Sequence, residues 1–191
     1  MRNAGVGIPG FVCIAFVVAI AQAPGAKPVP CRVQNAPSGW VVYINKLHGF
    51  CFSYPPVYTP VAKPWLEKYA SYPQAVRKAA QEGRLLRLQH QEFEDASIQV
   101  LVENKAFDLQ NFVKEAPTGI ESPPEPAKFG NYTFYYYGTG GGGVCYPDQY
   151  FFNLHGKTLH ISFDGPCVND KTPTPETKEI EHRLLQTFRT F

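Results

Sequence analysis

The side chains in this sequence able to do chemistry are histidines, cysteines, serines, carboxylates, a glycine run and a dense group of tyrosines. The five histidines, His48, His90, His155, His160 and His182, lack metal-ligand spacing with one another or with a carboxylate. No His-Glu-x-x-His occurs. His160 and Asp164 would share one face of a strand, but four strand residues span about 13 Å, too far for one metal. No metal site and no cofactor is therefore expected. No Gly-x-Ser-x-Gly marks a hydrolase nucleophile elbow, and Ser53, Ser97 and Ser162 carry no local sign of activation. Paired carboxylates for glycoside hydrolysis converge only in space. The acids here fall in turns and on the last helix, where a solvated face accounts for them. An unrecognised hydrolase is the third reading of function.

The run Gly138-Thr139-Gly140-Gly141-Gly142-Gly143 lacks the Lys, the Ser/Thr and the following helix of a phosphate loop. Val144-Cys145-Tyr146 follows it and reads as strand, so the glycines are expected to connect a hairpin. The aromatic density between Phe129 and Phe152 is the most unusual feature. On a strand from Phe129 to Tyr137, Tyr132, Phe134 and Tyr136 would face one side, and Thr133, Tyr135 and Tyr137 the other. One side should be core; the other is covered by a helix or presents aromatics to a partner or a sugar. The candidate ligand-binding residues are Tyr132, Tyr135, Tyr137 and Trp40, with Gly140 and Gly141 from the glycine loop.

The positioning frame begins with compartment. Met1-Arg2 is a short positive region, an uncharged apolar run spans Phe11 to Ala21, and Ala19-Ile20-Ala21 is a small-x-small cleavage pattern. The run is too short for a membrane span, which takes roughly 20 apolar residues. Residues 1–21 are expected to be a signal peptide, 22–38 a flexible leader tied by Cys31, and 39–191 a single domain. The expected location is secreted or periplasmic. Lys and Arg total 18 against 16 acids, scattered without a basic run, which argues against nucleic-acid binding. Asn131-Tyr132-Thr133 is a glycosylation sequon that matters only in a eukaryotic secretory pathway.

Cys31, Cys51, Cys145 and Cys167 remain after cleavage, and four cysteines in an exported chain allow three disulfide pairings. Cys145 and Cys167 stand equally far from Gly156, so a hairpin turning there would set them opposite or nearly so. Closing that loop would contribute about 3 kcal/mol in the chain-entropy model. Cys31 is left to pair with Cys51. No Cys-x-x-Cys suggests redox activity.

The secondary structure reads as antiparallel strands with a few helices. Trp40–Ile44 and Phe50–Tyr54 form a first hairpin, after which Pro55, Pro56, Pro60 and Pro64 oppose regular structure. A helix from Pro73 ends at Gly83. Strands are expected over Arg84–Gln91 and Ser97–Glu103, the latter with period-2 alternation at Ile98, Val100 and Val102. Asp108 caps a helix over Leu109–Glu115, and a proline-rich loop covers Pro117–Pro126. Val144–Leu154 and Thr158–Asp164 form the second hairpin. Thr174-Pro175-Glu176 starts the last helix, whose apolar face carries Ile180, Leu184, Leu185 and Phe188. The fold class is α+β.

The stretch Trp40-Val-Val-Tyr43, with Gly49-Phe50-Cys51-Phe52-Ser53-Tyr54-Pro55, resembles the opening of PsbP-like proteins. That family is named for an extrinsic subunit of the photosystem II oxygen-evolving complex. Leu184-Leu185-Gln186-Thr187-Phe188 is similar to the family's closing helix. Cys51 stands where the family has a small polar residue, and the stretch Pro55–Pro73 is longer than its equivalent. The resemblance implies an α/β/α sandwich on a central antiparallel sheet. It also implies an accessory or binding role rather than an enzyme, and carries over no functional residue.

The leading reading is a non-catalytic exported accessory protein with a protein or cell-envelope partner. The alternative is a small-ligand or carbohydrate binder using strand 129–137 and loop 138–143.

Overall fold

Local patterning places most elements where the side chains demand. The computed structural model describes residues 31–33, 35–61, 74–94, 96–115, 123–138, 140–141, 144–145, 147–165, 167–168 and 172–191. The expected signal peptide and most of the leader lie outside the described residues, as do 62–73 and 116–122. The strands are β1 Val41–Asn45, β2 Phe50–Tyr54, β3 Tyr58–Pro60, β4 Leu85–His90 and β5 Ser97–Glu103. They continue as β6 Glu125–Phe129, β7 Tyr132–Tyr137, β8 Gly140–Gly141, β9 Val144–Cys145 and β10 Asp148–Leu154. The last are β11 Lys157–Asp164, β12 Cys167–Val168, β13 Thr172–Pro173 and β14 Arg189–Thr190. The helices are α1 Gln74–Gln81, α2 Leu109–Glu115 and α3 Pro175–Thr187.

An antiparallel seven-stranded sheet of order β3-β4-β5-β11-β10-β7-β6 forms the centre, beside a three-stranded sheet β1-β2-β14. Register lines up a row of side chains across one face: Leu85, Leu101, His160, Phe151 and Tyr135 are successive cross-strand partners. The opposite face carries Val100, Ile161, Tyr150 and Tyr136 in the same way. The second face meets β2 and α3 in the main core, where Phe50, Phe52, Phe134, Phe188, Leu184 and Leu185 are fully buried. On the first face lie α1, against β4 and β5, and α2, whose Phe112 ring sits 5.2 Å from Phe151. Helices thus lie on both faces, an α+β fold in three layers.

Specific residues close this frame. Thr174 caps α3 by accepting the Thr177 N–H at 3.2 Å, and Pro175 opens the first turn. The Thr187 hydroxyl accepts the Ser53 N–H at 2.9 Å and ties α3 to β2. Beyond α3 the chain pairs with β2 as β14, and the Phe191 N–H donates to the Gly49 carbonyl at 2.9 Å. Gly49 has φ +70°, and a Cβ there would stand 2.7 Å from the Phe191 oxygen, so glycine is required twice over. The β10–β11 hairpin turns through His155 and Gly156, both at positive φ, as a two-residue turn demands.

Four expectations are corrected. Residues 129–137 are not one strand: Glu125–Phe129 and Tyr132–Tyr137 pair as a hairpin, turning at Gly130 with φ +59°. Pro126 is tolerated because β6 lies at the sheet edge, where its missing N–H costs nothing. The same edge argument admits Pro60 in β3. The chain also forms β14 after the last helix. The strand expected over Val144–Leu154 is split into β9 and β10, so the β10–β11 ladder ends at Asp148 and Phe163. Cys145 instead lies opposite Gly140, and Cys167 opposite Pro173; their side chains lie outside the described residues. Cys31 and Cys51 are bridged, with Cα atoms 6.4 Å apart. Among the described residues no helix is long and apolar enough to cross a membrane.

Candidate functional site

The alternation of β7 divides the candidate tyrosines. Tyr132 belongs to the core face: its ring lies edge-on to Phe152 and Phe188, and its oxygen accepts the Thr190 N–H at 3.1 Å. Trp40 packs against the same core cluster. Tyr135 and Tyr137 are half-buried on the opposite face, 5.2 Å from Phe107 and 5.5 Å from Phe112. Gly140 and Gly141 form β8, paired with β9. The fold brings Tyr135 and Tyr137 together under α2 and leaves Tyr132 and Trp40 on the far side of the sheet.

Beside that aromatic group lies a pocket of about 480 Å³ between α2 and the sheet. Its floor is Phe151, Thr158 and His160, its wall Phe107, Asn111 and Phe112, and its rim Glu103, Lys105, Asp108 and Gln149. The segment joining β5 to α2 is stitched down over the β10–β11 hairpin. The Phe107 N–H donates to Asn153 Oδ1 at 2.7 Å, and the Thr158 hydroxyl donates to the Lys105 carbonyl at 2.7 Å. Asp108 caps α2, Oδ1 accepting the N–H groups of Gln110 and Asn111 at 3.0 and 3.1 Å. Phe107 then stacks on Phe151 at 4.8 Å, and His160 stacks on Phe151 at 4.5 Å.

His160 Nε2 is buried without a hydrogen-bond partner. Burial pulls the imidazole pKa down to about 4, so the ring is neutral at neutral pH. Around it, the side chains of Glu103, Lys105, Asn111 and Gln149 bond to no other group among the described residues. A second cavity, about 600 Å³, lies against α1 and shares Glu103 and Lys105 with the first. The arrangement suits non-covalent binding: aromatic rings below, unpaired polar groups of both kinds above. Sequence reasoning found the Asp108 cap but not Phe107 or Phe112 as site residues, because their role depends on where α2 lands.

A second titratable cluster sits on the core face. Tyr136 donates to Asp148 Oδ1 at 2.6 Å, and Tyr150 donates to Glu181 Oε2 at 3.1 Å. Lys178 is ion-paired with Asp148 and stands 3.4 Å from Glu181 Oε2. Asp148 is 4% exposed and Glu181 only 1%. Glu181 therefore corrects the expectation that the acids of the last helix form a solvated face. Burial, helped by the Asp148 charge, raises its carboxyl to about 8, and burial with Asp148 pushes Tyr136 up to about 12. Glu181 thus holds its proton more tightly than a free carboxyl, beside the Lys178–Asp148 ion pair. Lys178 reaches solvent, its side chain 43% exposed, and Tyr136 is half-buried. The cluster fastens α3 to β10.

No protein-family model matches this chain, and no curated protein does. Solved structures are similar to it. One is the solution structure of cyanobacterial PsbP from Synechocystis sp. PCC 6803, at 12% identity and a TM-score of 0.49, covering 90% of this chain and 99% of that one. Another is a protein of Bacteroides thetaiotaomicron VPI-5482, at 10% identity and a TM-score of 0.47, covering 78% of this chain. The chain spans about half the length of that Bacteroides protein, 48%.

Proposed function

We propose that this chain is an exported accessory protein that binds a small organic ligand in the pocket between α2 and the sheet, without converting it. The observation that carries the reading is the set of polar side chains, Glu103, Lys105, Asn111 and Gln149, that converge around an aromatic floor and bond to no other group among the described residues. Polar groups that converge on a concave, aromatic-lined surface are the kind a small ligand's own groups meet. Export is supported by the uncharged apolar run Phe11–Ala21 with its small-x-small end Ala19-Ile20-Ala21, and by the Cys31–Cys51 bridge, a bond that persists in oxidising compartments.

The test is an NMR titration of the oxidised mature protein with a panel of small metabolites, followed by mass analysis of each binder. Expected are shifts at Phe107, Phe112 and His160, with the binder recovered unchanged. Shifts confined to other surfaces would remove the pocket from consideration, and a converted binder would make the protein an enzyme.

A protein partner is a second reading, favoured by β1. It is the edge strand of its sheet, and Val41, Val42 and Ile44 are 40%, 44% and 42% exposed. Apolar edge strands are pairing sites for other chains. Photo-crosslinkers at positions 42 and 149 separate the two, since a protein partner on the edge is captured from position 42 alone.

A further inference from the structure

Resting on the binding reading above, we infer that the pocket's ligand is an uncharged carbohydrate of one or two sugar units. The polar lining decides the class. Asn111 and Gln149 each offer a donor and an acceptor, Glu103 and Asp108 accept, and Lys105 donates. A sugar hydroxyl both donates and accepts, so a ring of hydroxyls suits a lining that carries both kinds of group. The aromatic lining supplies the other half: Phe107 and Phe112 are half-buried, and the C–H face of a pyranose packs on such rings.

Rival classes fit less well. An anionic ligand meets two carboxylates against one ammonium, and His160 is neutral and adds no positive charge. A simple cation would find the carboxylates but also Lys105 beside them. A fully apolar ligand would strip water from Glu103, Asn111 and Gln149 and return no hydrogen bonds. The volume, about 480 Å³, lies in the range of small-molecule sites. The adjoining cavity, which shares Glu103 and Lys105, gives a second sugar unit room toward Leu101.

The test uses the oxidised mature protein and the methyl glycosides of glucose, galactose, mannose and N-acetylglucosamine, with maltose and cellobiose as two-unit probes. Calorimetry gives affinity, and amide shifts give location. At least one probe should bind with shifts at residues 103–112 and 149–160. Asn111→Ala and Gln149→Leu should each weaken it by about tenfold, the worth of one hydrogen bond. Gln91→Ala, away from the pocket, should leave affinity unchanged, and the amide spectra of all variants should remain folded.

Sugar binding that neither pocket variant weakens overturns the assignment of the site. If no sugar binds but indole or tetramethylammonium shifts the same pocket residues, the carbohydrate class is wrong while the binding reading stands. If no probe of any class reaches the pocket, both fall.

Discussion

Replacing Glu181 with glutamine should flatten the pH dependence of stability between about pH 5 and pH 8. Glu181 is 1% exposed on α3, with Oε2 between Lys178 and the Tyr150 hydroxyl and Oε1 without a partner. Burial first, and the Asp148 charge second, raise its carboxyl from 4.5 to about 8. For an acid shifted upward, the folded state holds the proton more tightly than the unfolded chain. The associated stability is complete below pH 4.5 and is lost as pH climbs toward 8. Each tenfold change in proton affinity is worth about 1.4 kcal/mol, so the loss by pH 8 has a ceiling of about 4 kcal/mol. Water reaching the cluster past the half-exposed Lys178 lowers this to an expected loss of about 2 kcal/mol.

Lys178 adds no slope in this window. Burial lowers its pKa, but the Asp148 hydrogen bond and the carboxylate charge beside it raise it by more, so it stays protonated across this window. The amide introduced by Glu181→Gln keeps an acceptor for Tyr150 and never ionises. Urea unfolding of both proteins at several pH values, read by tyrosine fluorescence, measures the effect. The two should match near pH 5, and E181Q should be the more stable by about 2 kcal/mol near pH 8. A wild-type curve that runs parallel to the variant across the window, or a variant less stable at pH 8, refutes the reasoning.

Other outcomes follow from the same structure. The His160 ring should titrate well below 6.5 in NMR, at about 4, because burial disfavours its charged form. The stability linked to it is therefore present above pH 6.5 and lost as pH falls toward 4; an NMR midpoint near 6.5 would contradict its placement. Cys31→Ser should cost about 3 kcal/mol by freeing a loop of 20 residues, read as a lower urea midpoint than that of the oxidised wild type; an unchanged midpoint would contradict the bridge's role. Phe188→Ala, at a residue 0% exposed and packed on Phe50, Phe134 and Tyr132, should cost about 3–5 kcal/mol by thermal unfolding. Thiol titration of denatured Cys145→Ser should find Cys167 as the unpaired thiol; reactivity at Cys31 or Cys51 would exclude a Cys145–Cys167 bridge.

Much of the fold was legible in short windows. Phe50–Tyr54, Ser97–Glu103 and Leu109–Glu115 sit where strand composition, period-2 alternation and the Asp108 cap place them. The Thr174-Pro175 start of α3 was equally plain. The proline-bearing strands β3 and β6 were not, because an edge position that excuses Pro60 and Pro126 exists only once the sheet is assembled. Glu181 shows a signal that was present but unread. It lies four residues after Thr177 and three before Leu184, on the same helical stripe as the buried face.

The sequence by itself determined the α+β class, the helix starts, the His155-Gly156 turn and the alternation that sends Tyr135 and Tyr137 one way and Tyr132 the other. Those depend on backbone preferences and side-chain periods a few residues long. Only the tertiary structure decided which face of the sheet each helix lies on. It also decided that Glu181 shares a buried site with Asp148, and that residues 103–112 close a pocket over Phe151 and His160. Burial, shifted proton affinity and concavity belong to the space between elements far apart in the chain, and that space is set by packing.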